Sequence, residues 1–412
     1  MALKQRIVTE IYDDQTEDII HREVTEEKVI KSPKSIDDLG YNHEEQIEIL
    51  QRVQDSYLQF QSTVYELADT CPTCGSEMRN YGTYESHFNS VFSDHKITLP
   101  RRRCTNHECR KLLTYSIQGL FGDYRHPDLL EMQAVAASKM SFVEAQHELD
   151  AQVKRHRPVN GQLNLKRTAE RVGQHLHEIH QDEDCLKDFE IKTAAELIVQ
   201  TDGGYIKDKH PTRDNFEALL TKVYNPENLV RKSSKKTDNI DREITQKSYA
   251  ASSYKDHHKS IKAMTLIAAK KEGLTKETNV VALSDGAKNC WNVLKSLKKH
   301  CKSITYILDW YHISKKFDTL IGQLNSETFE QLTSIKWKVW HGKTDEAITR
   351  LSELYGFLVT TEFADKAHDL LKYIANNKAY LVDYESRRTS GKVYTSSAIE
   401  SGVESVMNTR FK

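Results

Sequence analysis

The chain has 412 residues, a formal net charge of −1, 38% hydrophobic residues and 29% charged residues, which is typical of a globular protein with about two or three domains. No apolar run approaches the ~18 residues of a membrane span, and the N-terminus lacks an apolar signal-peptide core, so the sequence predicts a protein without membrane contact. The seven cysteines are clustered rather than spread, which favours a metal site in a reducing compartment over a disulfide framework.

Charge is unevenly distributed along the chain. Residues 1–50 carry 13 acidic and 6 basic side chains, whereas residues 231–271 carry 11 basic and 4 acidic ones. The first 40 residues lack periodicity and are predicted to be loosely ordered, and one amphipathic helix is predicted from about Asn42 to Leu67. The basic stretch from Arg231 to about Ser253 is predicted to be a long loop, which either meets a phosphate backbone or is simply solvated.

Two cysteine pairs predict a zinc ribbon. Cys71-Pro-Thr-Cys74-Gly is followed, after 29 intervening residues, by Cys104-Thr-Asn-His-Glu-Cys109, with short strands expected between them. Four thiolates at such spacing suit a tetrahedral Zn²⁺ ion. The second pair is more widely spaced than usual, so His107 is an alternative ligand, and unbound thiols or a redox CxxC motif are the interpretations without zinc.

Basic residues accompany the ribbon and the helical segment that follows it. Arg101–Arg103 lie next to the second cysteine pair, where they form either a cationic edge or a solvated strand end. Several short helices are predicted from Pro127 to about Asp184, and the last of them presents Arg167 and Arg171. Short helices around a turn suggest a helix-turn-helix DNA reader, although small helical bundles have the same pattern.

Three short apolar runs end on, or contain, an aspartate. They are Glu196–Thr201 before Asp202-Gly-Gly, Asn279–Ser284 before Asp285-Gly-Ala, and Ser303–Leu308 before Asp309-Trp-Tyr-His312. Such runs predict buried strands, and Phe216–Tyr224 is a plausible antiparallel partner for the first. Carboxylates at strand ends are placed where open α/β sheets bind ligands, but an aspartate such as Asp285 can equally be a helix N-cap.

The last third of the chain predicts helices and a third carboxylate. Residues 313 to about 385 are helical in pattern, with Trp337, Trp340 and Tyr355 as bulky core residues. A late helix carries Glu400, with Glu404 as its rival one turn further on. Asp202, Asp285 and Glu400 are either unrelated acidic residues or a set that holds two divalent cations about 3.5–4 Å apart. Glu217 is predicted to be a solvent-facing strand residue.

The ordered set of Asp202-Gly-Gly, Ser284-Asp285-Gly-Ala, Asp309-Trp-Tyr-His312 and Ser397-Ala-Ile-Glu400-Ser resembles the DDE transposases of bacterial insertion sequences, at the Mutator-like end of that class. The likeness covers roughly residues 70–412. It implies an RNase H-like mixed sheet in which Mg²⁺ or Mn²⁺ is held by the two aspartates and the late glutamate. It also implies a helical insertion in the 115 residues from Asp285 to Glu400 (400 − 285). Asp309 and His312 are implied to lie near the active site, and a helix cap with a satisfied histidine is the alternative.

The resemblance implies a transposase that cleaves DNA and joins the 3′-OH to target DNA. Its partners would be double-stranded inverted-repeat ends and target DNA, bound as a homodimer or higher oligomer in the bacterial cytoplasm at the nucleoid. The expected DNA contacts are Arg101, Arg102, Arg103, Arg167, Arg171, Lys235 and Lys236. The alternatives are a decayed or domesticated zinc-dependent DNA-binding protein and a structure-specific nuclease of the same fold. Family members usually continue with a further basic helical stretch, which leaves open whether this copy is truncated.

The predicted class is α/β, with four regions along the chain. They are an acidic segment with one helix (1–68), a zinc ribbon (69–126), a helical DNA-binding region (127–190) and an RNase H-like catalytic domain (191–412) with a helical insertion at about 313–390.

Overall fold

The structure is a computed structural model that describes residues 3–206, 215–233, 240–322 and 326–395. Glu400, Glu404, Lys235 and Lys236 lie outside these ranges. The described residues form a mixed α/β protein with twelve α-helices, divided into two compact units, Met1–Gly173 and Gln174–Lys412. No α-helix in this part of the chain combines the length and the apolar character needed to cross a lipid bilayer.

The N-terminal unit contains two small antiparallel sheets and helices. Its strands are β1 (Lys4–Tyr12), β2 (Ile19–Val29), β3 (Met78–Asn89), β4 (Asp94–Cys104) and β5 (Leu112–Thr114). Its helices are α1 (His43–Gln61), α2 (Ile117–Phe121), α3 (Pro127–Lys139), α4 (Phe142–Gln152) and α5 (Gln162–Ile179), the last of which crosses the boundary between the units. β1 pairs with β2, and the second sheet has the order β3-β4-β5.

The prediction that the first 40 residues are loosely ordered is wrong, because β1 and β2 form a hairpin. Polar and charged pairs hold its strands together rather than an apolar face. Glu27 bridges Lys4 at 2.7 Å and Arg6 at 2.6 Å, and the Thr9 and Thr25 hydroxyls lie 2.6 Å apart. Hydrophobic periodicity therefore gave no signal for a pairing that depends on charges placed opposite each other.

Helices α3, α4 and α5 confirm the helical pattern predicted after residue 127. They share a small apolar cluster in which Ala137, Ala145 and Leu165 are buried. Ser141 begins α4 with the predicted capping box, in which Glu144 is the partner. Residues 153–161 connect α4 to α5 and form a longer link than the turn of about three or four residues in a helix-turn-helix motif.

The C-terminal unit is built on a five-stranded sheet. The strands of the whole unit are β6 (Glu196–Ile206), β7 (Phe216–Tyr224), β8 (Leu229–Ser233), β9 (Ile240–Ile244), β10 (Ser248–Ser252), β11 (Asn279–Ser284) and β12 (Ser303–Leu308). Its helices are α6 (Lys259–Lys271), α7 (Lys288–Lys295), α8 (Trp310–Ile321), α9 (Ser326–Trp340), α10 (Thr344–Leu358), α11 (Ala364–Asn376) and α12 (Tyr384–Thr389). The sheet has the order β10-β7-β6-β11-β12, and β8 and β9 form a separate hairpin.

The five-stranded sheet is mixed. β10, β7 and β6 are antiparallel neighbours, as predicted for β7, and β11 is parallel to both β6 and β12. The predicted long loop at residues 231–253 is wrong, since β9 and β10 lie within it. Four of the five residues of β10 are serine or alanine, which are weak strand formers, and β7 supplies its pairing partners.

One large apolar core joins the sheet to the helices of the C-terminal unit. Trp310 at the start of α8 packs against Trp340 and Tyr384, with ring centroids 4.7 and 5.0 Å apart. Trp340 is 4% exposed and Tyr384 is fully buried, whereas Trp337 is 50% exposed, so its predicted place in the core is wrong. α9 turns Trp340 inward, and Trp337 meets only the edge of that ring.

Lys222 in β7 is only 2% exposed. Burial, helped by the charge of Lys247, lowers the pKa of Lys222 to about 8. The unfolded chain therefore binds one more proton than the folded chain between pH 8 and about 10.5, so stability should rise with pH across this window. We expect the free energy of unfolding, measured by urea denaturation, to gain about 3 kcal/mol there relative to Lys222→Met. The exposed Lys247→Met is the control and should keep most of the gain, because burial is the larger cause of the lowered pKa of Lys222. A parent with the same pH profile as Lys222→Met would contradict the burial argument.

Candidate functional site

Four cysteines of the N-terminal unit form a candidate metal centre. The sulfur atoms of Cys71 and Cys109 are 3.7 Å apart, and those of Cys74 and Cys104 are 3.4 Å apart. All four sulfurs lie within 4.8 Å of one another. A zinc–sulfur distance of about 2.3 Å gives a tetrahedron with edges of about 3.8 Å, so the cluster can hold a structural metal such as zinc and fits a zinc ribbon. The exposed His107 is not a member of the cluster.

Each cysteine pair lies on a tight backbone turn. The residues after the two turns, Gly75 (φ 73°) and Arg110 (φ 46°), adopt left-handed conformations. The Ser76 side chain and backbone lower the pKa of Cys74 to about 6, whereas burial raises the pKa of Cys104 to about 12. A metal must displace the protons of such thiols, so its affinity is expected to fall as the pH is lowered.

The arginines at the end of β4 have different surroundings. Arg102 donates to the Ala68 carbonyl at 2.9 Å and forms an ion pair with Asp69, so it holds the segment that leads into the cysteine cluster. The Arg103 guanidinium lies 3.4 Å from the centroid of the Tyr81 ring, and Arg101 lies over Tyr84. Arg101 and Arg103 are therefore half-buried cations on aromatic faces, a geometry that leaves their outer edges accessible.

On α5, Arg167 and Arg171 are both exposed, as expected. Arg171 donates to Asp123 at 2.8 Å, and Asp123 also pairs with the half-buried Arg125. Despite partial burial, these arginines lower the pKa of Asp123 to about 2. Arg171 thus contributes to an internal network, and Arg167 is the more accessible of the two predicted contacts.

Three aspartates lie at the same level of the sheet, each directly after one of three paired residues on neighbouring parallel strands. Ser284 in β11 is paired with Thr201 in β6 and with Leu308 in β12, so Asp285 follows Ser284 just as Asp202 and Asp309 follow their strand partners. Neighbouring strands lie about 4.8 Å apart. Asp202 and Asp285 are therefore adjacent at one edge of the sheet, and Asp309 is one strand further along.

The half-buried Asp285 shapes the turn after β11. One of its oxygens accepts the Ala287 N–H at 2.9 Å and the Ser284 hydroxyl at 3.1 Å. The N-cap of α7 is Ala287 and makes no side-chain cap, so Asp285 is not the N-cap. In β6, the Asp202 carboxylate accepts the N–H of the next residue, Gly203, at 2.8 Å. Asp202 is also half-buried.

Asp309 is fully buried and is the N-cap of α8, where it accepts the Tyr311 N–H at 3.3 Å. The ring of His312, one helical turn away, lies 3.6 Å from the second Asp309 oxygen. This is the helix-cap arrangement that was the alternative for the pair. Their nearness to Asp285 follows from the sheet register rather than from contact with it.

The sequence did not indicate that Glu217 lies close to the paired aspartates. It is exposed, as expected of a solvent-facing strand residue, but its Oε1 accepts the Asn289 amide at 2.6 Å and lies 2.8 Å from where a Cβ on Gly203 would be. Burial raises the pKa of the Cys290 thiol, and the charges of Asp285, Asp202 and Glu217 raise it further. Three carboxylates are therefore close enough to one buried thiol to influence its protonation. The sequence signal that could have pointed to Glu217 was the glycine at position 203, where a larger residue would meet the Glu217 carboxylate.

Two tyrosines from the C-terminal helices fix the backbone beside the aspartates. The Tyr373 hydroxyl donates to the Asp285 carbonyl at 2.7 Å, and the Tyr384 hydroxyl donates to the Leu308 carbonyl at 2.8 Å. Burial raises the pKa of Tyr373, with the charges of Asp285 and Asp309 adding to the effect. Both hydroxyls therefore remain donors across the physiological range.

Gly286 is required at the turn after Asp285. Its φ is 102°, and a Cβ there would come within 3.1 Å of Leu308, Tyr373 and Asn377. We expect Gly286→Ala to lower the free energy of unfolding by about 2–4 kcal/mol, because a left-handed backbone and a crowded site both oppose the methyl group. Gly356→Ala is the matched control: this exposed glycine of α10 has open space around it, so the substitution should add about 0.5–1 kcal/mol. Equal effects of the two substitutions in urea denaturation would contradict the assignment.

Within the described ranges, the cysteine cluster is the only group of three or more His, Cys, Asp or Glu residues whose ligand atoms lie within 4.8 Å of one another. Within the same ranges, the carboxylates at the sheet edge are adjacent but do not form such a group. No protein-family model matches the sequence, and no curated protein matches it.

Proposed function

We propose that the protein is a DNA transposase of the DDE type, which cleaves DNA at the ends of a mobile element and joins the 3′-OH to target DNA. The observation that carries the proposal is the alignment of Asp202 and Asp285 on adjacent parallel strands. The sheet supports an RNase H-like core, since the first aspartate lies on its first strand in chain order and the second follows its fourth. In the described part of the chain, five helices follow β12, as the resemblance implies for an insertion.

Paired aspartates at a sheet edge suit hard divalent cations, because Mg²⁺ prefers carboxylate oxygens and retains several waters. Mg²⁺ or Mn²⁺ held there would activate the attacking hydroxyl and stabilise the leaving oxygen. Asp202 and Asp285 would be the residues of the sheet that hold the ions. The hydrogen bonds to Ala287 and Gly203 orient these side chains before any ion binds.

The third carboxylate is proposed to be Glu400. The chain that leads to it is anchored at Thr395, whose carbonyl accepts the buried Gln200 amide at 3.3 Å, two residues before Asp202 on β6. Five further residues can span up to about 17 Å, so Glu400 is within reach of the aspartates. Glu217 is the rival candidate, because its charge already lies near Cys290 beside the aspartates.

The N-terminal unit is proposed to read the inverted repeats. A zinc ion in the cysteine cluster would fix the end of β4, where Arg101 and Arg103 are displayed on tyrosine rings. Arg167 on α5 would add a phosphate contact in the same unit. Two DNA ends must be brought together, so a homodimer or higher oligomer is expected on DNA.

The test uses the zinc-loaded full chain and a plasmid carrying its gene with the flanking inverted repeats. Nicked or excised DNA that requires Mg²⁺, together with joined products, would support the transposase. Cleavage without joining would instead identify a nuclease of the same fold. Specific binding of the repeats without any cleavage would identify a DNA-binding protein.

A further inference from the structure

A cleft of about 800 Å³ begins beside the candidate catalytic aspartate and is lined by lysines. Its wall includes Gly286, the residue after Asp285, and Tyr373, which bonds the Asp285 carbonyl. Its lysines come from three helices: Lys288 and Lys295 from α7, Lys316 from α8 and Lys372 from α11. We name this surface the lysine cleft.

The four lysines are exposed, and the cleft has a single carboxylate, Asp369. Nearby lysines of the same unit are paired: Lys336 lies 2.7 Å from Asp318, and Lys338 lies 2.6 Å from Glu346. No ion pair within the described ranges engages any of the four cleft lysines. Four cations are thus concentrated on a concave surface with one carboxylate among them, an excess of positive charge that favours the binding of an anion.

Aromatic rings hold two of these cations at the cleft. The Lys316 ammonium lies 4.7 Å from the centroid of the Tyr373 ring, and the Lys295 ammonium lies 5.6 Å from that of Tyr380. The Tyr380 ring packs on the buried Trp291 at 4.4 Å. A cation over a ring keeps its outward side accessible, so the ammonium groups are positioned but still able to meet a phosphate.

The spread of the charges indicates an extended ligand. Lys288 and Lys295 are seven residues apart on α7, or about 10 Å along the helix axis. That length corresponds to the rise of about three nucleotides along one strand of a duplex. A continuous phosphodiester backbone could contact both lysines along that length.

We propose that the lysine cleft binds the sugar-phosphate backbone of the DNA strand that runs through the site at Asp285. The proposal rests on the proposed function, because the strand next to the reacting phosphate must leave the sheet edge along some surface. The cleft is the cationic surface that begins there. It would contact DNA without reading bases, and its affinity would depend strongly on salt.

The test compares the full chain with a variant in which Lys288, Lys295, Lys316 and Lys372 are all changed to glutamine. Binding of a fluorescent mixed-sequence DNA duplex is measured by anisotropy without Mg²⁺ and at several salt concentrations. We expect at least a tenfold loss of affinity at about 50 mM salt. The slope of log affinity against log salt concentration should be smaller by about 3.6, at ~0.9 for each of the four lost phosphate contacts.

The matched control changes four other exposed lysines of the same unit to glutamine: Lys192, Lys255, Lys259 and Lys343. It should bind DNA within about twofold of the parent. A cleft variant with unchanged affinity, or an equal loss in the control, would overturn the proposal. So would competition by inorganic tripolyphosphate as effective per charge as by DNA, since the cleft would then take small polyanions. The corresponding fourfold Lys→Arg variant should restore binding if charge, rather than misfolding, explains the loss.

The outcome is separable from that of the cleavage test. If the parent fails to cut DNA but the cleft variant still loses binding, the catalytic proposal fails and the cleft stands. If the parent cuts and joins DNA while the cleft variant binds normally, the cleft proposal fails and the transposase stands.

Discussion

Asp285→Asn is expected to abolish Mg²⁺-dependent DNA cleavage while leaving the protein folded. The asparagine side chain keeps an oxygen that can accept the Ala287 N–H, so the turn after β11 is retained. It loses the negative charge that holds a divalent cation, which we expect to cost about 10³-fold or more in rate, or about 4 kcal/mol of transition-state stabilisation. Asp202→Asn should behave in the same way, because the Gly203 N–H also needs only one oxygen. Initial rates of nicking and a thermal melt of each variant provide the measurements.

Asp365→Asn is the control for these variants, since this exposed aspartate lies in the first turn of α11, away from the sheet edge. It should cut at the parent's rate. Cleavage by the Asp202 and Asp285 variants within about threefold of the parent would rule out a metal centre there. Glu400→Gln and Glu217→Gln then identify the third carboxylate, since only the true ligand should approach the loss seen for Asp285→Asn.

Cys104→Ser is expected to release the metal and unfold the ribbon. Structural zinc sites contribute on the order of 10 kcal/mol of folding free energy, which exceeds what small apolar clusters around β3 and β4 can replace. The clusters that include Leu58, Leu99 and Met78 are small. We expect metal analysis to fall from about one zinc ion per chain to about none, and limited proteolysis to cut first between the cysteine pairs.

Cys185→Ser provides the control for the metal, because this half-buried cysteine lies outside the cluster. It should retain the parent's zinc content and its resistance to proteolysis. Zinc retained by Cys104→Ser, or a parent that never contains zinc, would contradict the assignment of the four cysteines.

Much of the candidate site could be predicted from the sequence because its signals are local. The cysteine pairs carry their own turns, so spacing alone predicted the cluster that the structure brings together. Asp202 and Asp285 follow apolar runs, and such continuous runs are typical of parallel strands that are buried on both faces. The choice between a helix cap and another role for Asp285 could not be made from sequence, since it depends on whether α7 begins at residue 287 or earlier.

The parts that escaped prediction depend on residues far apart in the chain. The β1–β2 hairpin is joined by pairs such as Arg6 with Glu27, which have no apolar period. Glu217 gained significance only because β7 places it over Gly203. The lysine cleft joins residues from three helices, and none of its lysines is unusual within its own helix.

The hydroxyl groups of Tyr373 and Tyr384 have a consequence for the order in which the protein is made. They bond backbone carbonyls 88 and 76 positions earlier in the chain. During synthesis, β6, β11 and β12 can emerge and pair before either tyrosine exists, since chains fold from the N-terminus as they are made. A nascent chain would therefore hold its acidic residues on a sheet whose loops are not yet set. If the proposed function holds, DNA-cutting activity would arise only when synthesis of the helical region is nearly complete, and incomplete translation products would lack it.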